Sequence, residues 1–135
     1  MRCALAILLL CASAAWLHAE TVLINPALGS EALNLERVRD MLLGRVTTWN
    51  NGTAVTIVLV DDRAADGELE SLAGRDRQRL LRGWKRLVYS GAGVMPLEAP
   101  SIAEAIALIA RTPGAIALIK DAPEDARVKR VLIGK

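Results

Sequence analysis

The chain has 135 residues and a formal net charge of +2 at pH 7, with two cysteines and one histidine. This near-neutral balance argues against a dedicated nucleic-acid-binding protein, because such proteins carry a strongly basic surface. The scarcity of cysteine and histidine restricts the catalytic and metal-binding chemistry that the chain can perform.

The first segment has the pattern of a secretory signal peptide. Arg2 precedes an apolar run that begins at Ala4, and the segment ends in the small residue Ala19. The run is too short to span a bilayer, which requires about 20 apolar residues. The pattern predicts a signal peptide over residues 1–19 and an exported domain over residues 20–135, located in a bacterial periplasm.

Export would remove every cysteine and histidine of the chain, since Cys3, Cys11 and His18 all lie in the predicted signal. The remaining domain then has no disulfide, no ordinary zinc or copper site, no cysteine nucleophile and no histidine-based triad. We therefore expect a protein that is not an enzyme and needs no cofactor or metal. We expect no transmembrane segment after the signal either.

The hydrophobic pattern predicts alternating strands and helices. An apolar run over 21–24 is broken at Pro26, because proline cannot continue a paired strand. Asn34 is placed to cap a helix over 35–43, which Gly44 ends. The remaining predicted elements are a strand over 55–60, a loop over 61–74 with a short helix near 68–73, a helix over 75–88, an extended segment over 96–100, a helix over 101–111, and strands over 115–119 and 128–133.

Three motifs in this order resemble the phosphate-binding proteins of ABC importers, a family of periplasmic substrate-binding proteins. They are LNLERVRDMLLGRVTTWNNG over 33–52, YSGAG over 89–93 and RTPGAI over 111–116. The resemblance implies an α/β fold with a central mixed sheet flanked by helices, of the type II periplasmic binding protein class. The family fold has two lobes, and this chain covers about one of them.

The resemblance also places an oxyanion site in the segment that follows the strand over 55–60. In the family, a loop rich in hydroxyls at a helix N-terminus holds phosphate together with an arginine. Here Arg63 and Gly67 stand in that segment, whereas Asp66 puts a carboxylate where an anion would lie. We expect Arg63, Asp66 and Gly67 to form a degenerate or altered phosphate-type site, with Asp66 alternatively serving as a helix cap.

The helix over 75–88 carries four arginines within about 60° of arc at 100° per residue. These are Arg75, Arg79, Arg82 and Arg86. Such a stripe is suited to an acidic envelope protein or to an anionic lipid surface, and it is also typical of a solvated helix face. We interpret Trp49 and Trp84 as packing residues.

The acidic residues after the strand over 55–60 lack the spacing of a calcium loop. The leading hypothesis is therefore an exported solute-binding-protein-like module with an altered oxyanion site. The alternative hypothesis is a periplasmic interaction or accessory module that kept the lobe fold and lost its ligand.

Overall fold

The computed structural model describes residues 20–28, 32–120 and 122–133, and only the backbone at positions 20, 63 and 64. The predicted signal peptide over 1–19 lies outside the described residues and stays a prediction. Within the described residues, no helix combines the length and the apolar character required to cross a membrane.

Five strands and four α-helices form the described part of the chain. In chain order they are β1 (Glu20–Ile24), a 3-10 turn (Pro26–Leu28), α1 (Leu35–Leu42), β2 (Thr56–Val60), α2 (Arg63–Ala73), α3 (Arg77–Tyr89), β3 (Leu97–Ala99), α4 (Ile102–Arg111), β4 (Ala115–Leu118) and β5 (Lys129–Ile133). The strands make one mixed sheet in the order β3-β2-β4-β1-β5. β2 is parallel to β3 and β4, whereas β1 is antiparallel to β4 and β5.

Side-chain caps set the start of two helices where the sequence predicts them. The Oδ1 atom of Asn34 accepts from the backbone N–H of Arg37 at 2.7 Å and opens α1. The Oγ atom of Ser101 accepts from the N–H of Glu104 at 3.2 Å and opens α4. Each cap satisfies a donor that the first helical turn leaves free.

Helices cover both faces of the sheet. Apolar side chains of α1, α2 and α3, including Leu69, Leu80 and Trp84, pack on one face. Ile106 and Ile109 of α4 pack on the other face. Leu80, Trp84 and Ile106 are buried in these layers, each at most 3% exposed.

Trp49 joins two of the motifs through a buried hydrogen bond. Its indole Nε1–H donates to the carbonyl of Gly114 at 3.0 Å. A Cβ atom at position 114 would lie 1.8 Å from the carbonyl oxygen of Ala54, so only glycine fits there. The Trp84 indole likewise donates to the carbonyl of Leu42 at 2.9 Å. Both tryptophans are packing residues, as predicted.

The second helix is longer than the sequence analysis predicts, since α2 begins at Arg63 rather than near residue 68. The polar composition of this segment conceals a helical spacing of apolar residues. Ala65 packs against one sheet face, whereas Leu69 and Leu72 are buried on the other. The spacing of these three residues, i, i+4 and i+7, is that of an amphipathic helix.

One further expectation needs correction. Arg75 precedes α3 instead of opening it, because Asp76 is the N-cap and accepts from the N–H of Arg79 at 2.9 Å. The segment expected to be extended over 96–100 contains the strand β3, which pairs with β2.

Candidate functional site

The carboxyl ends of two parallel strands meet the N-terminus of α2 at one edge of the sheet. Val60, the last residue of β2, is the register partner of Ala99 at the end of β3. The N–H of Asp61 donates to the carbonyl of Ala99 at 2.8 Å and fixes the loop between β2 and α2. In open α/β sheets this edge is where ligands bind, and a helix N-terminus there favours an anion.

The free backbone donors at this edge lie earlier in the chain than the sequence analysis places them. The N–H of Asp66 already donates to the carbonyl of Asp62 at 2.9 Å. The amides of residues 63–65 therefore precede the first hydrogen bond within the helix and have no carbonyl partner inside it. Gly67 lies inside α2, and Asp66 lies in the first turn instead of capping the helix. The side chain of Arg63 is outside the described part, so the ligand role of these three residues stays a prediction.

The guanidinium of Arg77 lies at this edge of the sheet. Its Nη2 atom donates to the carbonyl of Val60. The same guanidinium forms ion pairs with three carboxylates, those of Asp66 at 3.2 Å, Asp61 at 3.8 Å and Glu98 at 4.0 Å. The side chain of Arg77 is only 19% exposed. We call these four side chains the Arg77 cluster.

The Arg77 cluster is electrostatically unfavourable for an oxyanion. Three carboxylates face one guanidinium, so the net charge of the four groups is negative. The contact between Arg77 Nε and Asp66 Oδ1 has the distance of an ion pair but not the direction of a hydrogen bond, and neither atom has a hydrogen-bond partner. Charge attraction rather than a directed bond therefore holds this pair together.

Little space remains beneath the Arg77 cluster. The cavity lined by Val60, Ala65, Asp66, Leu69 and Arg77, together with neighbouring sheet residues, has a volume of about 10 Å³. A cavity of about this size holds no more than a single water molecule. This interior space is therefore too small for a tetrahedral oxyanion.

The arginines of the predicted stripe come together on the outer face of α3 and line a second concavity, a groove of about 440 Å³. Its lining residues are Gly74, Arg75, Arg79, Arg82, Gly83 and Arg86, and we call it the arginine groove. Although Arg75 lies outside α3, its guanidinium reaches the groove. Within the described part of the chain, no carboxylate lies within 4 Å of these four guanidiniums.

Arg77 and Glu98 are site residues that the sequence analysis missed. A signal for Arg77 was available, since it precedes Leu80 by three residues, Leu81 by four and Trp84 by seven. This spacing puts Arg77 on the apolar side of α3, away from the arginine groove. A cation on an apolar helix face requires a buried partner. Glu98 had no comparable signal, because its role depends on the pairing of β3 with β2.

No group of three His, Cys, Asp or Glu side chains in the described ranges is placed to hold a metal ion. The carboxylates at the sheet edge are instead arranged around the Arg77 guanidinium.

Comparison with known proteins establishes the fold. No model of a known protein family matches the chain, and no curated protein sequence matches it. The structure is similar to the crystal structure of an ABC-type phosphate transport receptor from Vibrio cholerae, with a TM-score of 0.61 and 17% sequence identity. The similarity covers 85% of this chain and 45% of the receptor, so the chain spans less than half the length of that protein.

The similarity confirms the expected α/β class and the resemblance to one lobe of a periplasmic binding protein. The five-stranded mixed sheet and its flanking helices agree with that fold. At 17% identity the likeness concerns the fold alone. The ligand must be argued from the residues of this chain.

Proposed function

We propose that this chain is an exported, non-enzymatic module of the solute-binding-protein type with an altered oxyanion site. The observation that carries the proposal is the position of Arg77, whose guanidinium lies at the ligand edge of the sheet among three carboxylates. The fold supplies the helix N-terminus that an anion would use, while the Arg77 cluster places opposing charge and a bulky side chain beside it.

The non-enzymatic part of the proposal is supported by composition. Residues 20–135 contain no cysteine and no histidine, which are the most versatile nucleophile and the most common acid–base group near neutral pH. Export to the periplasm is supported by the signal-like pattern over 1–19 and by the similarity to a transport receptor.

Thermal unfolding in the presence of inorganic phosphate tests the altered site. A ligand that binds only the native state raises stability by RT ln(1 + [L]/Kd). We expect no rise in the melting temperature of the unmodified protein at micromolar phosphate. Asp66→Ser removes a carboxylate and adds a hydroxyl, so this variant should gain a response at millimolar phosphate.

Two further variants test whether a gain in the phosphate response arises at the N-terminus of α2. Adding Arg63→Ala to Asp66→Ser should abolish the response, because Arg63 is the cation predicted beside the free amides. Adding Arg111→Ala, on α4, should leave the response unchanged. A clear shift of the unmodified protein at micromolar phosphate would contradict the proposal and indicate an intact oxyanion site.

A second function, that of a periplasmic interaction or accessory module, is favoured by the arginine groove. Its four guanidiniums have no acidic partner within the described residues. This candidate differs from the first because its binding surface is the outer face of α3 rather than the edge of the sheet.

A further inference from the structure

The four arginines of the arginine groove surround one glycine. Gly83 lies four residues after Arg79 and three before Arg86 on α3, so the three positions share one helix face. A Cβ atom at Gly83 would lie 3.6 Å from Nη1 of Arg75, which brings that guanidinium over the same spot. Gly83 thus contributes only backbone to the floor of the groove, and its missing side chain leaves room for the Arg75 guanidinium.

The charges in this groove are not balanced from within the described chain. Like charges at i, i+3 and i+4 on a helix repel one another, and Arg79, Arg82 and Arg86 have this spacing. Elsewhere on the surface arginines do have partners, as Arg45 has Asp40 and Arg127 has Asp125. Since guanidinium groups match phosphate oxygens through paired hydrogen bonds, the groove is suited to a phosphate-bearing anion.

An exposed aromatic ring lies beside these charges. Tyr89, the last residue of α3, is 90% exposed. It follows Arg82 by seven residues and Arg86 by three, so it continues the same helix face. Lys85 is a further exposed cation on this side of α3. Tyrosine is enriched at membrane–water interfaces, and basic residues are attracted to anionic lipid surfaces.

We propose that the outer face of α3, from the arginine groove to Tyr89, docks on an anionic phospholipid surface, with headgroup phosphates in the groove. This binding does not depend on whether the sheet edge holds an oxyanion. The export proposed above determines only which cellular membrane the surface would meet. An acidic protein would satisfy the charges too, and the exposed ring next to a cluster of cations is the combination that a membrane–water interface with anionic headgroups favours.

Vesicle co-sedimentation tests the inference. All variants are expressed as the full chain in the same host, so that any N-terminal processing leaves them with the same N-terminus. Phosphatidylglycerol–phosphatidylcholine vesicles are compared with phosphatidylcholine vesicles at low and high salt. We expect binding to the anionic vesicles only, weakened by salt because the attraction is electrostatic. The double variant Arg79→Glu/Arg82→Glu should bind at least about tenfold more weakly.

The matched control is Arg111→Glu/Lys120→Glu, which makes the same charge change at exposed positions outside α3. The control should retain binding to within about twofold of the unmodified protein. Tyr89→Ala should weaken binding several-fold while leaving its salt dependence unchanged. Circular dichroism melts of each variant confirm that the compared proteins are folded.

Four results would overturn the inference. Equal losses in the groove variant and in the control would mean that binding follows net charge alone. Equal binding to neutral and anionic vesicles would mean that the groove is not involved. Binding of a polyglutamate peptide without binding of anionic vesicles would identify an acidic polypeptide as the partner. Binding of inorganic phosphate at millimolar concentration, without any binding of anionic vesicles, would identify the free ion instead of the lipid as the ligand.

Discussion

Arg77 and Asp66 connect α3 to the first turn of α2 through an ion pair whose Nε and Oδ1 atoms are 3.2 Å apart. This contact brings the guanidinium to the carbonyl of Val60, at the end of β2. The edge of the sheet where this fold would present free helix amides is therefore held by the protein's own side chains. Arg77 thus contacts two other elements of the fold, and the proposed function assigns to its cluster the weakening of anion binding at this edge.

The first prediction concerns the stability that Arg77 supplies. Arg77→Met should lower the free energy of unfolding by roughly 1–3 kcal/mol, because the Val60 carbonyl loses one of its two donors and the Asp66 carboxylate loses its ion-pair partner. Urea denaturation measures the change. Arg79→Met is the control, since Arg79 has no ion pair in the described structure, and its effect should stay within about 0.5 kcal/mol. Equal losses in both variants would show that the Arg77 cluster does not stabilise the fold.

The second prediction contrasts two glycines. Gly114→Ala should destabilise the fold by roughly 3 kcal/mol, because the new Cβ atom would lie 1.8 Å from the Ala54 carbonyl oxygen. Gly67→Ala should instead stabilise it by about 0.5–1 kcal/mol, since alanine favours a helix interior. No heavy atom outside the helix backbone lies within 4 Å of that Cβ position. Thermal melts of the two variants should shift in opposite directions, and a shared direction would contradict the packing described at position 114.

The third prediction concerns the two apolar layers. Leu80→Ala removes side-chain volume between α3 and the sheet, and Ile106→Ala does so between α4 and the opposite sheet face. Each should cost roughly 2–5 kcal/mol in the free energy of unfolding, measured by urea denaturation. A loss below about 0.5 kcal/mol at both positions would mean that these layers are not closely packed.

The fourth prediction concerns pH. Hydrogen bonds from the Arg127 side chain and backbone lower the pKa of Asp125 from 3.8 to about 2. Because the folded-state pKa is depressed, the stabilisation from this pair is complete above the ordinary pKa. It is then lost as the pH falls from there through about 2. An NMR titration of the Asp125 carboxyl carbon should show a midpoint near 2 in the folded protein. Arg127→Ala should return the midpoint toward 3.8, and an unchanged midpoint would exclude Arg127 as the cause.

Local signals in the sequence predicted much of the fold. The caps at Asn34 and Ser101 and the apolar spacing that follows them gave the start of α1 and of α4, because these features act within one or two helical turns. Gly44 has a φ of 74° and ends α1 as expected. The burial of β2 on both faces also followed from its apolar, β-branched residues.

The features that escaped prediction depend on contacts between distant segments. β3 has only three residues and becomes a strand by pairing with β2. The Arg77 cluster draws on the β2–α2 segment, α3 and β3. The spacing within α3 puts Arg77 on the apolar side of the helix, but it does not identify the three carboxylates that Arg77 contacts. The arginine groove was predicted as a helical stripe, but the inclusion of Arg75 depends on how the chain turns at Gly74 before α3.

An NMR titration of the protein with inorganic phosphate, followed through the backbone amides, tests most directly the proposal that the oxyanion site at the sheet edge is altered. The first-turn amides of α2, at residues 63–65, are the donors that an oxyanion would engage. We predict that their signals stay unchanged up to about 1 mM phosphate. At that concentration a site with a Kd of about 1 mM would be half occupied. Any shifts should be confined to the arginine groove, over residues 74–86. Saturable shifts at residues 63–65 with a micromolar Kd would contradict the account, because they would show that the Arg77 cluster leaves the site open.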